Sequence, residues 1–362
     1  WKTDGIGQVA HCAVEPREHQ KFDQGLFREC APEVCPQRIV DVAFMMKRVA
    51  EPDEAALFIR PARGVRTTMH GGPDLLFREP CVRSEAGDVD APLEQIRQHT
   101  VRTTQQVVKA LQDGSAYHLY KNPAAQPSLR YQIVDTLEFL EPLPTTWKAG
   151  HRVPMTDYNE IMRRVQLQAW VEQRGIKEVW LWGYHGGVID LWESNMAGPY
   201  GDISNSDRDL HDLPVLRQTY TVYHYNYQRG PSEAVEDHMH QIEALLRQID
   251  PYLFWEKFVG KPGEGRCGWA HYPPNGVRDY DWRNPTPVWT DIEDWQPDGA
   301  GAKQLLNCTR WNGDSLAWFV YWMQNLPGAG HQLHDRGRPL TNWWTFIGDF
   351  DRAMMQKMKL TT

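Results

Sequence analysis

Residues 219–246 read TYTVYHYNYQRGPSEAVEDHMHQIEALL. The aromatic and β-branched part, Tyr220 to Tyr227, has the character of a strand. Arg229-Gly230-Pro231 turns the chain, and from Ser232 to about Ile249 apolar residues recur at helical spacing. Successive helical side chains lie about 100° apart, so Glu233, His240 and Glu243 share one face, with Asp237 at its edge. The same helix carries Val235, Ile242, Leu245 and Leu246, which places this ionisable stripe beside the core and just beyond a strand end. The plain alternative is a solvated charged face of i,i+4 neighbours. His238 and His240 differ by about 200° around the helix and cannot share one ion.

Working toward the N-terminus, Lys177 to Tyr184 is a short apolar run that reads as a buried strand. Before it, Thr156-Asp157 with Glu160 marks a capped helix start, followed by an apolar face to Gly175. Arg130 to Leu140, closed by Glu141-Pro142-Leu143-Pro144, reads as another strand, and Pro92 to Gln112 as a helix ending at Asp113-Gly114. Strand, helix, strand predicts a βαβ unit with a parallel pair, whose ligand-facing groups gather at the carboxyl ends of the strands. His185-Gly186-Gly187 and Glu193-Ser194-Asn195 follow such an end. Toward the C-terminus, Val288 to Trp295 is expected to run from strand into an acidic edge, and Asp314 to Asn325 to form a buried helix.

Residues 1–90 have weak periodicity, one helix near Arg38 to Val49, and four of the six cysteines. The expected fold is therefore α/β: a mixed, largely parallel sheet flanked by helices over 91–362, preceded by an irregular, disulfide-tied segment over 1–90. A TIM-like barrel would need more regular βα units than the chain offers.

The 362 residues suffice for a substantial core. A net charge of −8 opposes nucleic-acid binding, which needs a concentrated basic surface, and no apolar run reaches the ~20 residues of a membrane span. The even cysteine set (12, 30, 35, 81, 267 and 308) lacks any CxxC pair and points to an extracellular, secreted protein. Cys267 and Cys308 are expected to bridge, with the connectivity of Cys12, Cys30, Cys35 and Cys81 left open. Asn307-Cys308-Thr309 matches a glycosylation triplet.

Three constellations carry possible chemistry. Glu193 and Glu233, with Asp291, Glu293 and Asp294 after a later strand, offer the two carboxyl groups that glycoside hydrolysis requires. Fifteen of the 16 tryptophans lie from residue 147 onward, so Trp182, Trp192, Trp269, Tyr272, Asn275 and Trp295 are candidate sugar contacts, although tryptophan is more often core than platform. His240 and Glu243, at i and i+3, could bind a divalent metal such as Zn from one helix face, with His271 or Glu193 completing the shell. The alternating oxygens of 202–209, DISNSDRD, make Asp202 and Asp207 candidates for Ca, though an Asx-turn-rich loop accounts for them as well.

The sequence thus predicts an exported, carbohydrate-directed hydrolase with catalytic candidates Glu193, Glu233, His240, Glu243 and His271. Its competitors are a metal-dependent hydrolase using His240 and Glu243, and a glycan-binding or self-associating extracellular protein without catalysis.

Overall fold

The computed structural model describes residues 41–50, 81–83, 90–139, 143–183, 189–201, 203–205 and 211–362. Its centre is a five-stranded sheet of β1 (Asp41–Ala50), β2 (Leu129–Phe139), β3 (Glu178–Gly183), β4 (Ser194–Ala197) and β5 (Tyr220–Asn226), in the order β2-β1-β3-β5-β4. The sheet is mixed. β3 and β5 pair in parallel, whereas the β1–β2, β1–β3 and β4–β5 pairings are antiparallel. The expectation of a largely parallel sheet therefore yields to one parallel pair among four pairings. β2 and β3 run in the same direction, as a βαβ reading requires, but β1 is inserted between them.

That central strand comes from the segment read as irregular. Asp41–Ala50, DVAFMMKRVA, is a strand and not the helix expected near Arg38 to Val49. Val42, Phe44 and Val49 are β-branched or aromatic, and a ladder on both sides outweighs the weak helical periodicity. A boundary at residue 90 falls within the stretch of chain that builds the sheet. The expected cysteines 12, 30 and 35, and the loop aspartates Asp202 and Asp207, lie outside the described residues.

β3 and β5 are buried along their whole length because both faces of the sheet are covered. Alternation sends Trp180, Trp182, Tyr223 and Tyr225 to one side, where they join the larger core with α1 (Leu93–Gly114), α4 (Pro231–Ile249) and α5 (Ser315–Met323). Val179, Leu181, Tyr220 and Val222 face the opposite core, with α2 (Tyr158–Arg164) and α3 (Leu167–Arg174). The single helix expected over 156–175 is two, because Gln166 adopts a left-handed φ of 54° between them; Asp157 caps the first by accepting the Glu160 amide at 3.0 Å.

Four residues separate the end of β5 from α4, with Gly230 as its N-cap and Pro231 in its first turn, where a missing N–H costs nothing. Val235, Met239, Ile242 and Leu246 bury one face of α4 in the larger core. Its first turns consequently sit at the carboxyl end of the parallel pair. No helix among the described residues is long and apolar enough to cross a membrane.

Candidate metal centre at the end of the parallel strand pair

The polar face of α4 meets the loop carrying His271. Among the described residues, one group of three ionisable side chains brings potential ligand atoms within 4.8 Å of one another: Glu236, His240 and His271. The Nε2 atoms of His240 and His271 are 3.1 Å apart, His271 Nε2 is 2.8 Å from Glu236 Oε1, and His240 Nε2 is 3.7 Å from the same oxygen. The two imidazoles stand edge to face at 86°. Ligands of a tetrahedral ion at 2.0–2.1 Å are separated by about 3.3 Å, so this triangle has the size of a zinc coordination face.

The surrounding groups orient the ligands as an outer shell does. Glu243 Oε2 lies 3.1 Å from His240 Nδ1, while Glu243 Oε1 accepts the Ala270 amide at 2.8 Å. Nδ1 of His240 is thereby turned to Glu243 and its Nε2 to Glu236 and His271, so that loss of the Nε2 proton would free that atom for an ion. Asp279 stands 3.6 Å from His271 Nδ1 in the corresponding place. Without an ion, burial opposes protonation of His240, but its bonds to Glu236 and Glu243 outweigh that and push its pKa up to about 11. Burial likewise works against ionisation of Glu236, and its bonds to His240 and His271 nonetheless hold it below the usual carboxyl range. A charged His240 thus occupies electrostatically the place a cation would take.

A second tier of acids adjoins this triangle. Glu233, one turn before Glu236, is raised to about 7, first by burial and then, against the pull of Arg229, by the negative charges of Glu236 and Glu193. Its Oε2 is buried and accepts no hydrogen bond, and the Arg229 guanidinium is 3.4 Å away. Asp237 is 6% exposed and pushed well up by burial and by Glu193, Glu233 and Glu236. Glu193, exposed just before β4, is bonded by Asn205.

Of the candidates read from sequence, His240, His271, Glu233 and Glu193 come together here, and Glu243 is present as an orienting group one step behind the ligands. Glu236 was missed. Its signal was available: it lies three residues after Glu233 and four before His240 on the same helical stripe. His238, facing the other way, packs in the core with its ring centroid 3.8 Å from Tyr223 and its Nε2 2.6 Å from the Tyr225 hydroxyl. The acidic run after residue 290 is elsewhere: Asp291 pairs with Arg266 at 2.6 Å, and Glu293 is held by Arg310, Lys121 and Tyr321.

The aromatic contacts need correction. Trp182, Trp192 and Trp295 are 1%, 3% and 2% exposed and offer no face to a solute. Their indole N–H groups are used internally, by Thr104, Asp212 and the Lys257 carbonyl. Asn275 staples a loop by donating to the carbonyls of Asn284 and Thr286. Trp269 and Tyr272 are half-buried and pack against each other with ring centroids 4.3 Å apart and planes tilted by 31°, beside His271 in sequence. The ring exposed next to the centre is one the sequence did not single out, Tyr280, 4.3 Å from His271. Cys267 is a free, fully buried thiol, so the expected bridge to Cys308 does not form.

No family model matches this sequence, and neither a curated protein nor a solved structure is significantly similar to it.

Proposed function

We propose that this chain is a metal-dependent hydrolase in which Glu236, His240 and His271 hold one divalent ion, zinc by donor set, and Glu233 is the general base. The observation that carries the reading is the triangle of two imidazole nitrogens and one carboxylate oxygen, each histidine backed by a carboxylate. A zinc ion with three protein ligands lowers the pKa of water to near 7 and polarises a bound oxygen. Glu236 and the two histidines would fix its position on a rigid helix and one short loop. Glu233 is half-buried, with an enclosed Oε2 that accepts no hydrogen bond and has the Arg229 guanidinium 3.4 Å away, and it would be the group to take a proton from attacking water. Export of the protein belongs to the same proposal.

A second reading is favoured by the environments of the acids themselves. Glu233 is pushed toward protonation while Glu193, its exposed neighbour, supplies negative charge, the asymmetry that carbohydrate hydrolysis without a metal would use. Chelation separates the two. Turnover of chromogenic esters, anilides and glycosides is measured before and after EDTA, with zinc added back. The metal reading expects loss and restoration, and loss in Glu233→Gln with metal content unchanged; turnover indifferent to EDTA assigns the site to the carboxylate pair.

A further inference from the structure

Tyr280 has no part in holding the centre together, yet the loop places it there at some cost. Its backbone adopts a left-handed φ of 61°, unusual for a residue with a side chain. The loop around it is pinned. Asp281, 5% exposed, donates its amide to the His271 carbonyl at 3.3 Å, accepts the Val277 amide at 2.9 Å and accepts from Asn284 Nδ2 at 3.0 Å. Tyr280 is held between His271, with ring centroids 4.3 Å apart, and Trp282, edge to face at 5.3 Å. Even so it is 55% exposed, and the charges its phenol feels are those of Glu236, Glu193, Asp279 and Glu233. An exposed phenol whose ring leans against His271 at 40°, and whose O–H makes no internal hydrogen bond among the described residues, is a donor without a structural task.

We propose that Tyr280 is the oxyanion donor of this site and that the bond cleaved is an acyl bond, an amide or ester. The inference rests on the metal reading above. Hydrolysis then runs with every atom accounted for. Water adds its oxygen to the acyl carbon while its proton passes to Glu233. The carbonyl electron pair would move onto oxygen, to which the Tyr280 hydroxyl would donate a hydrogen bond. The carbon–nitrogen or carbon–oxygen bond breaks, and the departing amine or alcohol takes the proton from Glu233. A hydrogen-bond donor aimed at the tetrahedral oxygen is what separates acyl transfer from glycoside cleavage, whose transition state places positive charge on the sugar ring.

The test uses the full chain loaded with Co(II), whose visible spectrum reports ligand binding, and acetohydroxamate as the acyl-oxyanion probe. Tyr280→Phe keeps the ring against His271 and removes only the hydroxyl. The expected result is unchanged cobalt affinity with acetohydroxamate bound about 10- to 100-fold more weakly than by the parent, in line with loss of one hydrogen bond to a charged oxygen. Equal acetohydroxamate affinity in the parent and Tyr280→Phe overturns the role of Tyr280, and a parent cobalt form that fails to bind acetohydroxamate overturns the acyl assignment; the metal reading survives both. A parent protein that takes up no cobalt overturns the metal reading and, with it, this inference.

Discussion

His240 uses both ring nitrogens, one toward Glu243 and the other toward His271 and Glu236, and that division of labour makes the site readable. Removing a ligand and removing its support should have different consequences. His271→Ala deletes one of the three proposed ligands and is expected to abolish stoichiometric zinc binding. Glu243→Gln leaves all three and is expected to weaken zinc about 10- to 100-fold, the usual cost of losing an outer-shell carboxylate. Isothermal titration calorimetry on the two variants distinguishes them, and equal effects would place Glu243 in the coordination shell.

A second histidine tests the electrostatics far from the centre. His118, with a left-handed φ of 56°, is held down to about 4, first by burial and then by Lys121. Between that value and the ordinary 6.5 of the unfolded chain, the unfolded state binds the extra proton. Stability is therefore fully present above about pH 6.5 and falls as pH drops toward 4, by on the order of 1 kcal/mol per pH unit from this residue. His118→Asn, which tolerates the left-handed backbone, should flatten that slope in urea unfolding at pH 7 and pH 4.5. An unchanged slope would assign the acid sensitivity to other groups.

At the level of elements, α4 and the loop after Cys267 bring the centre together, and they differ in how far the sequence disclosed them. The β5–turn–α4 unit was legible because its period, its Gly-Pro start and its apolar face all agree. The stripe bearing Glu233, His240 and Glu243 followed from helical geometry alone. For the partner loop, His271 was only one of two groups offered to complete the shell, the other being Glu193, because its meeting with His240 spans 31 residues and depends on tertiary packing. Gly268 is the joint of that loop. It sits at φ +71°, and an added Cβ would come 2.1 Å from the Tyr272 carbonyl oxygen. Gly268→Ala should therefore destabilise the protein by on the order of 1–3 kcal/mol and loosen zinc by displacing His271. A folded variant with parental zinc affinity would show that the loop absorbs the clash without moving the ligand.

For the whole molecule, the sheet order explains which readings failed. β1 enters from a distant part of the chain and separates β2 from β3, so these two strands, consecutive in sequence, are not neighbours in the sheet. Local periodicity cannot report that, and it also hides why Trp182 is core: the alternation of β3 points it at α1, where Thr104 accepts its indole proton. Aromatic abundance in this protein mostly builds the interior, with Trp180, Trp318, Trp322 and Trp343 fully buried.

The most direct test of the account is zinc titration of metal-stripped protein by calorimetry at pH 7, paired with Glu236→Gln, His240→Ala and His271→Ala. The account predicts one ion per chain, release of close to one proton as His240 gives up its charge, and loss of that binding in each variant. No binding, or one-to-one binding that survives all three substitutions, would contradict it.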